Sequence, residues 1–284
     1  MNKENNEYRK KHKNKFIGYK MVEIYSNDSL KIIQEKNNKT IYNIVFLYRN
    51  KSLIRSLTKS RLIQGGTVTN DFSSLRFKAT SVSTLSKYIQ DHKIETGSSK
   101  LSIIKAAKLL SDLATQLEYL IRSERKTIIG YNKDNVIVIN DDTFIFVDSD
   151  LMTDINEVTD INEVTDINEV TDINEVTDTK VNENEMAMIS SPFLTSDFFM
   201  SPEILKIKNL PSYVHYKTSY FSLASLVLYV LLSSDDFYKE YLKHEYSGKI
   251  KEYLDSHHIK DTKLYWLLSR CLDEDPKKRS IIFI

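Results

Sequence analysis

The chain has 284 residues, 41% of them apolar and 28% charged, with a formal net charge of +1, so it can bury a sizeable core as one two-lobed domain or two small ones and carries no broad nucleic-acid field. A single cysteine, Cys271, excludes a disulfide framework and Cys-rich metal sites, and it suits a reducing interior. The longest apolar run, residues 221–232, is well short of the ~20 residues a membrane span needs, and no signal-peptide core follows the basic start, so an intracellular, cytoplasmic protein without a membrane partner is expected.

In chain order, residues 1–15 read as a basic flexible tail with Lys3, Arg9, Lys10, Lys11, Lys13 and Lys15 against Glu4 and Glu7; a solvated tail is the plain reading, ahead of a nucleic-acid or membrane patch. Residues 19–25, 30–34 and 40–48 read as three strands separated by polar turns, as a small antiparallel sheet requires. Residues 52–64 set Leu53, Ile54, Leu57, Leu62 and Ile63 on one side of a helix that Gly65 and Gly66 stop. A further strand is expected over 75–79, and a crossing to a second lobe over 82–89.

Leu109, Leu110, Leu113, Leu117, Leu120 and Ile121 recur at helical spacing, which predicts a buried amphipathic helix over 101–121. Residues 136–139 and 143–147 are β-branched or aromatic runs separated by Asn140, Asp141 and Asp142, a hairpin signature. Asn135 precedes this hairpin and Asp148 follows it. Four copies of the hexad Thr-Asp-Ile-Asn-Glu-Val occupy residues 153–176, with aliphatic residues every third position. That spacing matches neither a helix face nor a strand, so an acidic insert over 153–184 that buries nothing is the leading expectation, with a docking motif or solenoid fragment as alternatives.

Together with FFMSPEIL at 198–205, YKTSYFSLASLVLYVLL at 216–232 and LLSRCLDEDPKKRS at 267–280, this series resembles the eukaryotic protein kinase superfamily over roughly residues 101–279. The resemblance implies an α+β, two-lobed protein-kinase-like fold, with a small β-rich amino-terminal lobe over 16–88 and a mainly helical lobe over 89–284. Asn135 and Asp148 then stand where the family binds Mg²⁺ and ATP phosphates. Asp148-Ser149-Asp150 replaces Asp-Phe-Gly, Ser201-Pro202-Glu203 stands for Ala-Pro-Glu, Ser219 takes the place of an anchoring Asp, and Glu203 and Arg279 are expected to pair. Abundant Lys, Asn, Ile and Tyr suit an AT-rich genome, such as that of a giant DNA virus or an AT-rich protist.

The same frame shows what is missing. Gly130 stands at the catalytic Asp position, and Ile128 and Ile129 replace the His and Arg before it. None of the six glycines makes a Gly-x-Gly loop, the NIVFLY strand carries no Lys, and residues 52–64 contain no acid to pair with one. The expectation is therefore a pseudokinase that binds another protein without phosphoryl transfer; the alternatives are an atypical ATP-dependent kinase and a folded gene product without a partner. Asn135 and Asp148 either hold Mg²⁺ or survive as loop polars bonding backbone. Asp134 and Asp150 are weak candidates for a substitute base, and His257 and His258 read as a solvated turn. Tyr213, Tyr216 and Tyr220 read as packing residues rather than a base-stacking platform.

Overall fold

A computed structural model describes residues 21–157, 185–192, 199–232, 252, 254–256 and 258–281. The basic tail, most of the hexad repeat, Phe198 and His257 lie outside the described residues. The architecture is mixed α+β with antiparallel sheets. The chain divides into two compact units: Met1–Gln116, Asn132–Asp150 and Val230–Ser233 form one, and Leu117–Tyr131, Leu151–Tyr229 and Ser234–Ile284 form the other.

In the first unit, β1 (Met21–Ser26), β2 (Leu30–Glu35), β3 (Asn38–Phe46), β4 (Thr67–Val68) and β5 (Ser74–Lys78) make a five-stranded sheet in the order β1-β2-β3-β5-β4. Helix α1 (Lys51–Lys59) begins where the Asn50 side chain caps the Leu53 amide at 3.0 Å. It stops short of the expected residue 64. Thr58 and Ser60 turn their hydroxyls back onto the carbonyls of Ile54 and Ser56, which competes with helix continuation, and Arg61 then enters the left-handed region at φ 62.

The expected crossing is a short strand, β6 (Val82–Thr84), running directly into α2 (Leu85–Thr96). Thr84 caps the helix start and Gly97, at φ 74, ends it. The strand β6 joins the hairpin of β9 (Val136–Ile139) and β10 (Thr143–Phe146) in the order β10-β9-β6. Asn140 and Asp141 turn that hairpin with φ of 53 and 58, a conformation their short polar side chains tolerate.

Helix α3 (Ile103–Glu124) buries Leu109, Leu110, Leu113, Leu117, Leu120 and Ile121 as the periodicity predicts. It also buries two polar residues, Asp112 and Gln116, that periodicity assigns to the solvent side. Asp112 Oδ2 accepts from the Phe144 amide at 3.0 Å, and Gln116 Oε1 accepts from the Phe146 amide at 2.8 Å while its Nε2 donates to the Phe146 carbonyl at 2.9 Å. Residues four apart on a helix rise about 6 Å, close to the repeat of every second residue on a strand. The helix thus satisfies the open edge of β10 with side chains, where a further strand would otherwise pair.

The second unit holds a four-stranded sheet in the order β14-β12-β11-β7, from β7 (Lys126–Ile128), β11 (Met152–Glu157), β12 (Glu185–Ile189) and β14 (Ser212–His215). A two-stranded pair joins β8 (Gly130–Tyr131) to β13 (Phe199–Met200). Short α4 (Pro202–Leu205), α5 (Thr218–Leu232) and α6 (Lys263–Cys271) complete the main elements described there. The helix α5 is largely apolar, with Phe221, Leu223, Leu226, Val227 and Leu228 wholly buried and Thr218, Ser219, Ser222 and Ser225 buried beside them, as suits an interior helix. Among the described residues no helix is long and apolar enough to cross a membrane.

The first hexad departs from expectation. Residues 153–157 belong to β11, an inner strand with partners on both sides. Ile155 is buried opposite Ala187, which in turn lies opposite buried Val214. The Thr153 hydroxyl donates to the Met188 carbonyl at 2.8 Å, and Asp154 pairs with Lys126. The three-residue spacing of the aliphatics conceals this, because only Ile155 of each Ile/Val pair needs to face inward when a single hexad forms the strand.

Candidate functional site

Of the residues singled out by sequence, Asp134, Asn135, Asp148 and Asp150 lie in the first unit, around the loop that precedes β9 and the end of the hairpin. Asn132 and Asn135 close this loop reciprocally: Asn135 Oδ1 accepts from the Asn132 amide at 2.9 Å, and Asn132 Oδ1 accepts from the amides of Asp134 and Asn135 at 2.8 and 2.7 Å. The Asn135 carbonyl accepts from the Val147 amide at 3.1 Å, tying the loop to the end of the hairpin. Asn135 is 1% exposed, and its side-chain amide lies beside the Asp148 carboxyl. Asn132 escaped sequence reasoning, although the Asn-x-x-Asn spacing is the available signal for such a mutual turn.

Asp148 follows the hairpin, and its Oδ1 accepts from the Asp150 amide at 3.1 Å. Burial pushes its carboxyl above the usual range and the Asp150 charge adds to this, while the Asp150 amide and the neighbouring Asn135 amide act downward. Among the described residues, no lysine or arginine is one of the groups that shift it. Tyr25 of β1, which no motif marks, belongs to the same neighbourhood. Its phenol is pushed up to about 12, chiefly by burial and then by the Asp148 charge, with a smaller push from Asp134.

Beyond Tyr25, the turn from β1 to β2 is closed by its own side chain. Asn27 Oδ1 accepts from the amides of Ser29 and Leu30 at 2.9 and 2.8 Å and from the Ser29 hydroxyl at 3.0 Å, and Asn27 Nδ2 donates to the Tyr25 hydroxyl at 3.2 Å. The Asn27 amide donates to the Leu30 carbonyl at 3.0 Å. Backbone amides that could otherwise cradle a phosphate are thereby engaged.

A magnesium–nucleotide site needs about six oxygens in octahedral array and cations for the phosphates. Here Asn135 Oδ1 and one Asp148 oxygen already accept backbone amides, which leaves the second Asp148 oxygen as the acceptor of that pair that a cation held mainly by phosphates and water would use.

The raised Asp148 pKa has a definite pH signature. Folding favours its protonated form, so its contribution to stability is fully present below the ordinary carboxyl pKa and is lost as pH rises through the raised native value. Asp148→Asn carries no charge to desolvate. It is expected to raise the melting temperature at neutral pH, with the gain shrinking as pH falls into the acid range; a gain that does not change with pH would contradict this.

In the second unit, Gly130 is buried in the β8–β13 pair, where an added Cβ would lie 3.0 Å from both Cγ and Cε of Met200. Arg279 is wholly buried and forms a bidentate pair with Glu203, with Nη2 3.0 Å from Oε2. Its Nε donates to the Asp273 carbonyl at 2.8 Å, and its guanidinium lies 4.9 Å from the centre of the Phe221 ring. Ser219 donates its hydroxyl to the Tyr216 carbonyl at 3.1 Å. Tyr216 and Tyr220 are buried edge to face, and the Tyr220 hydroxyl donates to Glu118 at 2.8 Å, whereas Tyr213 is exposed. Asp134 and Asp150 are both exposed.

Comparison of the chain with protein-family models and with curated proteins found no match to either.

Proposed function

We propose that the chain is a kinase-like binding module, a pseudokinase that engages another protein and transfers no phosphate. The observation that carries this reading is that the side-chain oxygens of Asn132, Asn135 and Asn27 around Asp148 are already taken by backbone amides. Asn132 and Asn135 bond each other's backbone, Asn27 takes the turn amides beside Tyr25, and among the described residues no lysine or arginine is one of the groups that shift the Asp148 carboxyl. A phosphoryl-transfer site requires the reverse, with amides and cations held ready for charge that the substrate brings. The five-stranded sheet with a helix between its third and fourth strands, the Asn135 loop leading to a hairpin and Asp148, and the Glu203–Arg279 pair all support the kinase-like part of the reading.

Catalytic groups act as a unit, so restoring one recovers almost nothing. Gly130→Asp should stay inactive, and the new side chain must also displace Met200. Saturating ATP with Mg²⁺ should shift the melting temperature of the wild-type protein by no more than about a degree, since a ligand stabilises only by binding the native state. A shift of several degrees that is lost in Asp148→Ala would replace this reading with an atypical kinase. Affinity capture from the native cell, followed by reconstitution with the purified candidate, tests for the protein partner.

A further inference from the structure

The strand β11 is made from Met152 and the first hexad, while copies beginning at Thr159, Thr165 and Thr171 repeat the same six residues outside the described part of the chain. Side chains on a strand alternate between faces with a period of two. Six is even, so replacing one hexad by another returns every residue type to its own face. Thr again meets the Met188 carbonyl, Asp meets Lys126, and Ile enters the buried row with Ala187 and Val214. Each later copy is also preceded by an apolar residue, Val158, Val164 or Val170, as the first is by Met152.

We propose that the four hexads are interchangeable occupants of the β11 position, so that one copy completes the sheet and the others form a connection to β12 whose length can change in steps of six residues. Leu151 favours the first copy in the intact chain: it is 5% exposed, and its carbonyl accepts from the Ile129 amide at 2.9 Å. A later copy can enter with Leu151 and Met152 still in place, by looping six residues out after Met152. The entropy of closing such a loop grows only slowly with its length. The later copies are therefore reserves that act when the first is damaged. This inference is independent of the kinase resemblance.

The test combines a lesion in the first copy with removal of the others. Deleting residues 159–176 leaves Leu151, Met152 and one full hexad, and should move the melting temperature by no more than about a degree. Deleting residues 153–176 instead brings Thr179 to the position of Ile155 and should cost several degrees, because a hydroxyl then replaces buried aliphatic surface. Ile155→Asp should be severe in the one-copy variant, where a carboxylate must enter the buried row, and less than half as severe in the four-copy chain, where a second hexad replaces the first. Ala187→Asp on β12, which no repeat can replace, should cost the same in both. If Ile155→Asp prevents folding in both backgrounds, Ile155→Ala is compared by denaturation midpoint in the same way. Equal losses in the two backgrounds would overturn the proposal, as would a loss of about ten degrees on deleting residues 159–176 alone, since the later copies would then be packed in their own right.

Discussion

Glu203→Ala is expected to destabilise the protein by ~3 kcal/mol or more, because it strands the charge of a buried arginine. Arg279 has no exposed surface, and Glu203 supplies its only carboxylate partner among the described residues. The carbonyls of Asp273 and Glu274 and the ring of Phe221 would remain around the guanidinium, but none carries a compensating charge. Denaturant unfolding of Glu203→Ala, Arg279→Ala and the double variant separates the pair from its members. The double variant should be no less stable than the worse single one, since removing both charges removes the stranded one. Simply additive losses, or a loss under ~1 kcal/mol for Glu203→Ala, would show that the pair is not coupled in this way.

Gln116→Leu is expected to cost ~3 kcal/mol, although leucine is the better helix former and the site is wholly buried. The amide of Gln116 reaches both backbone groups of Phe146 and also donates to the Ser56 hydroxyl at 3.1 Å. Leucine would take away both hydrogen bonds that Gln116 makes to the Phe146 N–H and C=O, and losing the partner of a buried group costs ~1–3 kcal/mol. Hydrogen exchange at the Phe146 amide should accelerate along with the loss of global stability. Unchanged stability with slow exchange at Phe146 would mean that the edge of β10 is held by packing alone.

The elements most legible in the sequence are those whose burial has one period. The hairpin around Asn140 to Asp142 and the apolar face of α3 could be read directly, and both members of the Glu203–Arg279 pair could be named from their motifs. The segment that forms α5 entered only through its family-like motif, and it is a helix with a largely buried surface. What escaped was polar and nonlocal. Asp112 and Gln116 sit at positions that periodicity gives to water, yet they bond a strand edge about thirty residues away in sequence. Tyr25 carries no motif, and it bears on Asp148 only because the fold brings β1 near the end of the hairpin. The strands β7, β11, β12 and β14 are short and paired between segments distant along the chain, so no local alternation is long enough to mark them. Repetition itself hid β11, since the period that describes four hexads differs from the alternation that one hexad uses.

The central claim, a kinase-like module without phosphoryl transfer, is tested most directly by incubating purified wild-type protein and its Asp148→Ala variant with γ-labelled ATP, Mg²⁺ and a generic protein substrate. The account predicts no label on the chain or the substrate above the level seen with Asp148→Ala, because no lysine or arginine among the described residues is one of the groups that shift the Asp148 carboxyl and Gly130 offers no base. Label that accumulates with wild-type protein and disappears with Asp148→Ala would contradict it.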